Sequence, residues 1–142
     1  MNKIIFNGKI LKEENLTFNQ FKRAVNFGDG FFETIRVING KEMFFEDHFI
    51  RIKSGLNFLK IDYPNSFNFN FLKQEIYSLL EINNIDAGGK IKIYFFRSGL
   101  GTYKPLSNKI SYVIETIKLN SNFYELNKKG YLVSIFNEYK KQ

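Results

Sequence analysis

An α+β domain, with a mostly antiparallel sheet and helices packed on one face, is the fold class this 142-residue chain predicts. Three observations predict it. Two Asn-Gly pairs, Asn7-Gly8 and Asn39-Gly40, each stand between short apolar runs, and Asn-Gly accepts the positive φ angles of a tight hairpin turn. Two stretches between Glu46 and Ile82 place apolar residues at helical spacing. Two later stretches alternate at the period of a strand.

Taken in order, Ile4 to Leu11 alternates around Asn7-Gly8 and forms the first hairpin, while Asn15 to Arg23 is polar and reads as a loop or short helix. Phe31 to Ile38 is rich in aromatic and β-branched residues and reads as a strand, which Asn39-Gly40 turns into Lys41 to Phe45. Within that strand Phe31, Glu33, Ile35 and Val37 face one way and Phe32, Thr34, Arg36 and Ile38 the other. Neither face is purely apolar, so part of the strand borders a cleft. Glu46-Asp47 opens a helix with acidic residues set against the positive end of its dipole, and Phe49, Ile52, Leu56 and Leu59 form its stripe. Ser54-Gly55 weakens its middle. After a turn at residues 62–66, a second helix is expected over Phe69 to Ile82, with Leu72, Ile76, Leu79 and Leu80 as its stripe. Lys90 to Arg97 and Ile110 to Leu119 read as strands, separated by a flexible turn at Ser98-Gly99-Leu100-Gly101. Asn120 to Lys129 is a polar linker, and Tyr131 to Phe136 starts one more strand with no partner after it. The expected division is therefore an N-terminal domain over 1–119, with 120–142 as a linker and the first strand of a truncated second domain.

Composition narrows the classes. Hydrophobic residues make up 44% and aromatic residues 18%, and Phe alone supplies 17 positions, so Phe must do much of the core filling. There is no Cys, which excludes disulfides and thiolate chemistry. No apolar run approaches the roughly 20 residues that span a bilayer, and the first apolar run breaks at Asn7-Gly8, too early for a signal-peptide core. A cytoplasmic protein without a membrane partner is the expectation. The net charge of +7 attracts anions in general and selects none of them. The aromatics alternate with core positions and no RNA-recognition signature is present, so nucleic acid is not an expected partner.

Few side chains offer chemistry. Arg51 lies off its helix's apolar stripe, the place of a solvated arginine, yet a guanidinium there could also grip a phosphate or carboxylate. Arg97 ends a strand before a Gly-rich loop, as an exposed sheet-end arginine or as a ligand contact. Gly28-Asp29-Gly30 lacks the spacing of a dinucleotide or P-loop motif, so the turn reading wins, with Asp29 bonding local backbone amides. His48 is the only histidine and reads as structural, capping the helix start.

The run from Arg23 to Leu59, with its core Phe27-Gly28-Asp29-Gly30-Phe31-Phe32-Glu33-Thr34-Ile35-Arg36-Val37 and its segment Glu46-Asp47-His48-x-x-Arg51, resembles the class IV pyridoxal-phosphate enzymes: branched-chain aminotransferases, D-amino acid aminotransferases and aminodeoxychorismate lyases. Tyr94-Phe95-Phe96-Arg97-Ser98-Gly99 is similar to that family's next signature. The resemblance implies the family's small N-terminal α+β domain, a larger second domain beyond it, pyridoxal 5'-phosphate held between the two, and a homodimer. It implies Arg51 as the arginine on the cofactor phosphate. Phe32 matches a position where members often carry a substrate-facing Tyr, with Thr34 on the same strand face. Arg97 matches a region that meets the substrate carboxylate, and Tyr103 follows in the same loop. The implied activity is transfer of an amino group between an amino acid and a 2-oxo acid. Elimination of pyruvate from aminodeoxychorismate, giving 4-aminobenzoate, and a non-catalytic dimerising or binding module are the alternatives. The family's Schiff-base lysine is expected beyond Gln142. Lys140 and Lys141 come too early for it, so no catalytic residue is assigned and the chain alone is expected to be inactive.

Overall fold

The computed structural model describes residues 2–135. Its element order is β1 (Lys3–Phe6), β2 (Lys9–Lys12), a 3-10 turn at Glu13–Asn15, α1 (Phe18–Phe27), β3 (Gly30–Ile38), β4 (Lys41–Glu42), α2 (Phe45–Phe58), α3 (Phe69–Ile82), β5 (Gly89–Arg97) and β6 (Ile110–Lys118). The strands form one six-stranded sheet in the order β2-β1-β6-β5-β3-β4, with every neighbouring pair antiparallel. Asn7-Gly8 and Asn39-Gly40 close the two hairpins, all four residues at positive φ.

Period-two alternation decides which sheet face each residue serves. Ile35, Val37, Ile91, Ile93, Phe95 and Ile114 turn to one face and meet Ile52 and Leu56 of α2 and Leu72, Ile76 and Leu79 of α3. These side chains are all but inaccessible, and this is the main core. Asn68 caps α3 by accepting from the Phe71 amide at 3.0 Å, which sets the helix start at the expected residue.

α1 extends the expected layout. The segment read as loop or short helix is a ten-residue helix on the opposite sheet face, where Phe21 packs 5.2 Å from Phe96 beside Ile4 and Val113. It starts on a capping box between Thr17 and Gln20 and ends on Gly28 at φ 60. The sheet is thus covered on both faces, fully by α2 and α3 and partly by α1.

The chain after β6 is anchored before it becomes exposed. Arg36 donates to the carbonyls of Ser121 (2.5 Å) and Phe123 (3.1 Å), and the Asn39 amide donates to Asn122 at 2.6 Å. Gly88 leaves room for this crossing, since a Cβ there would sit 2.1 Å from the Ser121 carbonyl oxygen. Residues 131–135, expected as strand, have no strand partner among the described residues and are exposed. An extended segment without a neighbouring ladder has no place for its backbone groups except water. Phe136, Lys140 and Lys141 lie outside the described residues.

Candidate functional site

The site starts with a carboxylate on a strand that faces a helix. Glu33 occupies the α2-facing side of β3, where its neighbours are apolar. His48 and Arg51 are one turn apart on α2, so both point to the same strip of the sheet. Two local features bring the elements close. Phe44 at φ 54 turns the chain sharply into α2. Gly55, one turn beyond Arg51, seats the Phe31 ring, because a Cβ there would lie 2.8 Å from that ring. The glycine expected to weaken the helix is a point of close packing between α2 and β3.

Arg51 donates from Nε to Glu33 Oε1 (3.1 Å) and from Nη2 to Oε2 (3.0 Å), a bidentate fork. His48 Nδ1 lies 2.5 Å from the same Oε2. Burial pushes the Glu33 carboxyl up, but hydrogen bonds from Arg51 and His48 and their charges outweigh it and hold it below the usual carboxylate range. An ionised Glu33 only accepts, so Nδ1 must carry the hydrogen in that contact. The 2.8 Å approach of Arg51 Nη2 to His48 Nδ1 is then two donors converging on one oxygen. The expectation that His48 caps its helix is corrected: its ring bridges helix to strand. The Arg51 side chain remains 55% exposed while that of Glu33 is 13% exposed. Nη1 of Arg51 has no partner among the described residues.

This cluster sits by an open backbone edge. β3 pairs with β5 from Gly30 to Val37, but β4 covers only Val37 and Ile38 on the other side. Met43 donates to the Arg36 carbonyl at 2.8 Å, leaving the outer edge of residues 30–35 without a strand among the described residues.

Phe32 and Thr34 lie on the opposite face of β3 from Glu33 and its partner Arg51. Phe32 is 58% exposed. Sequence reasoning missed its neighbours: Lys92 places its ammonium 4.6 Å from the Phe32 ring and 4.7 Å from Tyr94, and Tyr94 donates to Glu115 at 3.0 Å. The cross-strand register Phe32↔Tyr94 and Thr34↔Lys92 sets this group and becomes visible only once the strands are paired. Beside it a mainly apolar cleft of about 460 Å³ runs between α1 and the sheet, with Phe18, Val25, Phe32 and Phe96 among its walls.

Arg97 does not face open solvent. Nε donates to both oxygens of Asp29 (3.0 and 3.2 Å), Nη1 to the Lys60 carbonyl (3.0 Å) and Asn108 (2.7 Å), and Nη2 to the Leu59 carbonyl (2.6 Å). Asp29 also accepts from Arg23 Nε at 2.5 Å. The Asp29 carboxyl, raised by burial, is carried below its usual range by these two arginines. Asp29 is therefore the hub of a buried ion cluster and not a binder of local amides. Tyr103 is 92% exposed, its ring 6.1 Å from Phe27.

Comparison with known proteins defines the class of this chain. The family model described as amino-transferase class IV matches residues 30–135. The chain belongs to the class IV aminotransferase family. It is 31% identical over 87 residues to D-alanine aminotransferase of Bacillus licheniformis, an alignment covering 61% of this chain and 30% of that protein. In three dimensions it superposes on the branched-chain aminotransferase of the thermophilic archaeon Thermoproteus uzoniensis, solved with norvaline, with TM-score 0.71, 21% identity, and 84% of this chain against 41% of the other. It also superposes on 4-amino-4-deoxychorismate lyase of Pseudomonas aeruginosa, with TM-score 0.62, 24% identity, and 81% against 39%. At these identities the superpositions show a common fold. The D-alanine aminotransferase match spans about a third of that relative's length.

Proposed function

We propose that this chain forms the part of a pyridoxal-phosphate-dependent class IV enzyme that holds the cofactor's phosphate and one wall of the substrate cleft. The reaction class is transfer of an amino group between an amino acid and a 2-oxo acid. The observation that carries this reading is Arg51: a guanidinium locked along one edge by Glu33, with Nη1 and the outer face left to solvent beside an unpaired strand edge. Its donor geometry fits a phosphate, which takes two parallel N–H groups.

Each residue of the cluster has a task in this reading. Glu33 holds Arg51 in one rotamer, so the entropy of ordering a long side chain is lost on folding and not on binding. His48 secures the second oxygen of Glu33 and keeps that carboxylate ionised. Phe32 and Thr34 form the substrate-facing wall, with Lys92 as a cation placed to attract a substrate carboxylate. Phe32 has no hydroxyl, so it shapes this wall by contact alone. When bound, pyridoxal phosphate supplies the electron sink that lets an amino group be exchanged for a keto group. No residue of 1–142 is assigned the Schiff-base lysine. Arg97 acts as a brace that fixes the start of β3, and Tyr103 stands at the rim.

Residues 1–119 make the N-terminal domain of this reading, and the remaining length of the relatives corresponds to a second domain against the open edge of β3. A homodimer and a cytoplasmic location accompany the proposal; among the described residues no helix is long and apolar enough to cross a membrane.

Thermal melting of the 142-residue protein tests the reading. Pyridoxal phosphate should raise the midpoint in the wild type, and Arg51→Ala should abolish that rise while leaving the ligand-free midpoint nearly unchanged. Equal protection in both proteins would refute the role of Arg51.

A further inference from the structure

Arg23 holds more hydrogen-bond capacity than the fold uses. Its side chain is only 6% exposed. Of its five N–H groups, Nε binds Asp29 and one on Nη1 binds the Thr102 carbonyl at 2.7 Å. Both hydrogens on Nη2 and the second on Nη1 have no acceptor among the described residues. Arg97, its neighbour on Asp29, has four of its five occupied. Two guanidinium charges against one carboxylate also leave one positive charge uncompensated in this part of the interior. Among the described residues only Arg36 Nε is a fully buried side-chain nitrogen without a partner, so the unoccupied Nη2 of Arg23 is reached from solvent and can meet an anion there.

Arg23 lines a cleft of about 350 Å³ between the end of α1 and the loop after β5. The other walls are Lys22, Asn26, Phe27 and the backbone from Gly99 to Thr102. No acidic side chain lines it. Asp29 meets the guanidinium at Nε, on the edge that Nε shares with Nη2. Gly101 fixes the loop's path at φ +118, where a Cβ would lie 2.7 Å from the Lys104 carbonyl oxygen. The amides of Gly99 and Leu100 donate to no described acceptor.

We propose that Arg23, with Lys22, Asn26 and the loop at Gly99–Thr102, forms a second anion site that takes a small oxyanion, the carboxylate or phosphate group of a metabolite. It is separate from Arg51. Glu33 is four residues of extended chain beyond Asp29, a span of about 13 Å. The inference does not rest on the cofactor reading, and either can fail alone.

The test is a pair of titrations of the 142-residue protein, with inorganic phosphate and with acetate, followed by amide chemical shifts at constant ionic strength. Saturable shifts at Gly99, Leu100 and Thr102 are expected, and the arm with the lower midpoint identifies phosphate or carboxylate as the preferred group. Arg23→Lys keeps a positive charge opposite Asp29 but loses the planar fork, and should weaken binding roughly tenfold. Lys22→Ala, an exposed change that leaves the ion cluster intact, should weaken it roughly threefold. Arg51→Ala should leave it unchanged. Shifts that fail to saturate, shifts that chloride reproduces at equal ionic strength, a Lys22→Ala protein that binds like wild type, or loss of binding in Arg51→Ala would each overturn the proposal.

Discussion

Asp29 and Glu33 stand four residues apart at the start of β3, and each is held between two nitrogen donors. Asp29 has Arg23 and Arg97, both under a tenth exposed. Glu33 has His48 and Arg51, and Arg51 is more than half exposed. The chemistry is nearly the same and the consequence differs. Around Asp29 every partner is enclosed, so the cluster ties α1, the start of β3 and the loop after β5 into one body. Around Glu33 one partner keeps its outer nitrogen in water, so the cluster can present a charge to something outside. Burial, and not residue type, separates Arg97, a brace, from Arg51, a binding group.

The comparison breaks most sharply at Asp29. Asp29→Asn leaves two buried guanidinium groups without a counter-charge and should cost about 3 kcal/mol or more, measured by urea unfolding. Next is Gly55→Ala. The new methyl meets Phe31, so overpacking of about 1–3 kcal/mol opposes a helix-propensity gain of about 1 kcal/mol. Stability should fall modestly, while Arg51 is displaced from Glu33 and phosphate affinity drops further than stability. Glu33→Gln should cost less than about 1 kcal/mol, because its main partner is exposed and screened by solvent. Phosphate affinity should also fall, since Arg51 is no longer held.

Acid sharpens the contrast. Both carboxyls lie below their ordinary range, so their stabilisation is complete above the unfolded values near 4 and is lost as pH falls through the lower folded ones. Asp29→Asn should flatten the acid limb of the stability profile more than Glu33→Gln does. Glu75 runs the other way. Burial raises its carboxyl, although the Tyr112 hydroxyl donates to it at 2.8 Å. Its contribution therefore declines as pH rises from the unfolded value through the raised folded one. Glu75→Gln, which keeps an acceptor for Tyr112, should give the smallest effect of the set: a slightly higher midpoint at pH 7 and none at pH 3.

How far the sequence reaches depends on whether the signal is local. α3 is legible from Phe69 to Ile82 because its stripe and its Asn68 cap belong to the same short stretch. β5 and β6 show in their alternation. α1 is harder to see because Asn, Gln and Lys separate Phe18, Phe21 and Ala24, yet the Thr17–Gln20 capping pair and that spacing are signals that mark a helix. Periodicity places Arg51 in solvent, which is correct, but carries no hint of Glu33, a contact that exists only when α2 closes onto β3 over Gly55. Arg97 looks available because its acceptors are the carbonyls of Leu59 and Lys60, nearly forty residues away. Its shared hub, Asp29, reads as a turn residue for the same reason: both its partners depend on tertiary approach. The Lys92–Tyr94–Glu115 group likewise requires the strand register.

The central claim is that Arg51 recognises the phosphate of pyridoxal phosphate. Calorimetric titration of wild type and Arg51→Ala with pyridoxal phosphate and with pyridoxal, which lacks the phosphate, tests it directly. The account predicts that the wild type prefers the phosphorylated ligand and that this preference disappears in Arg51→Ala while pyridoxal binding is unaltered. A preference of the same size in both proteins would contradict it.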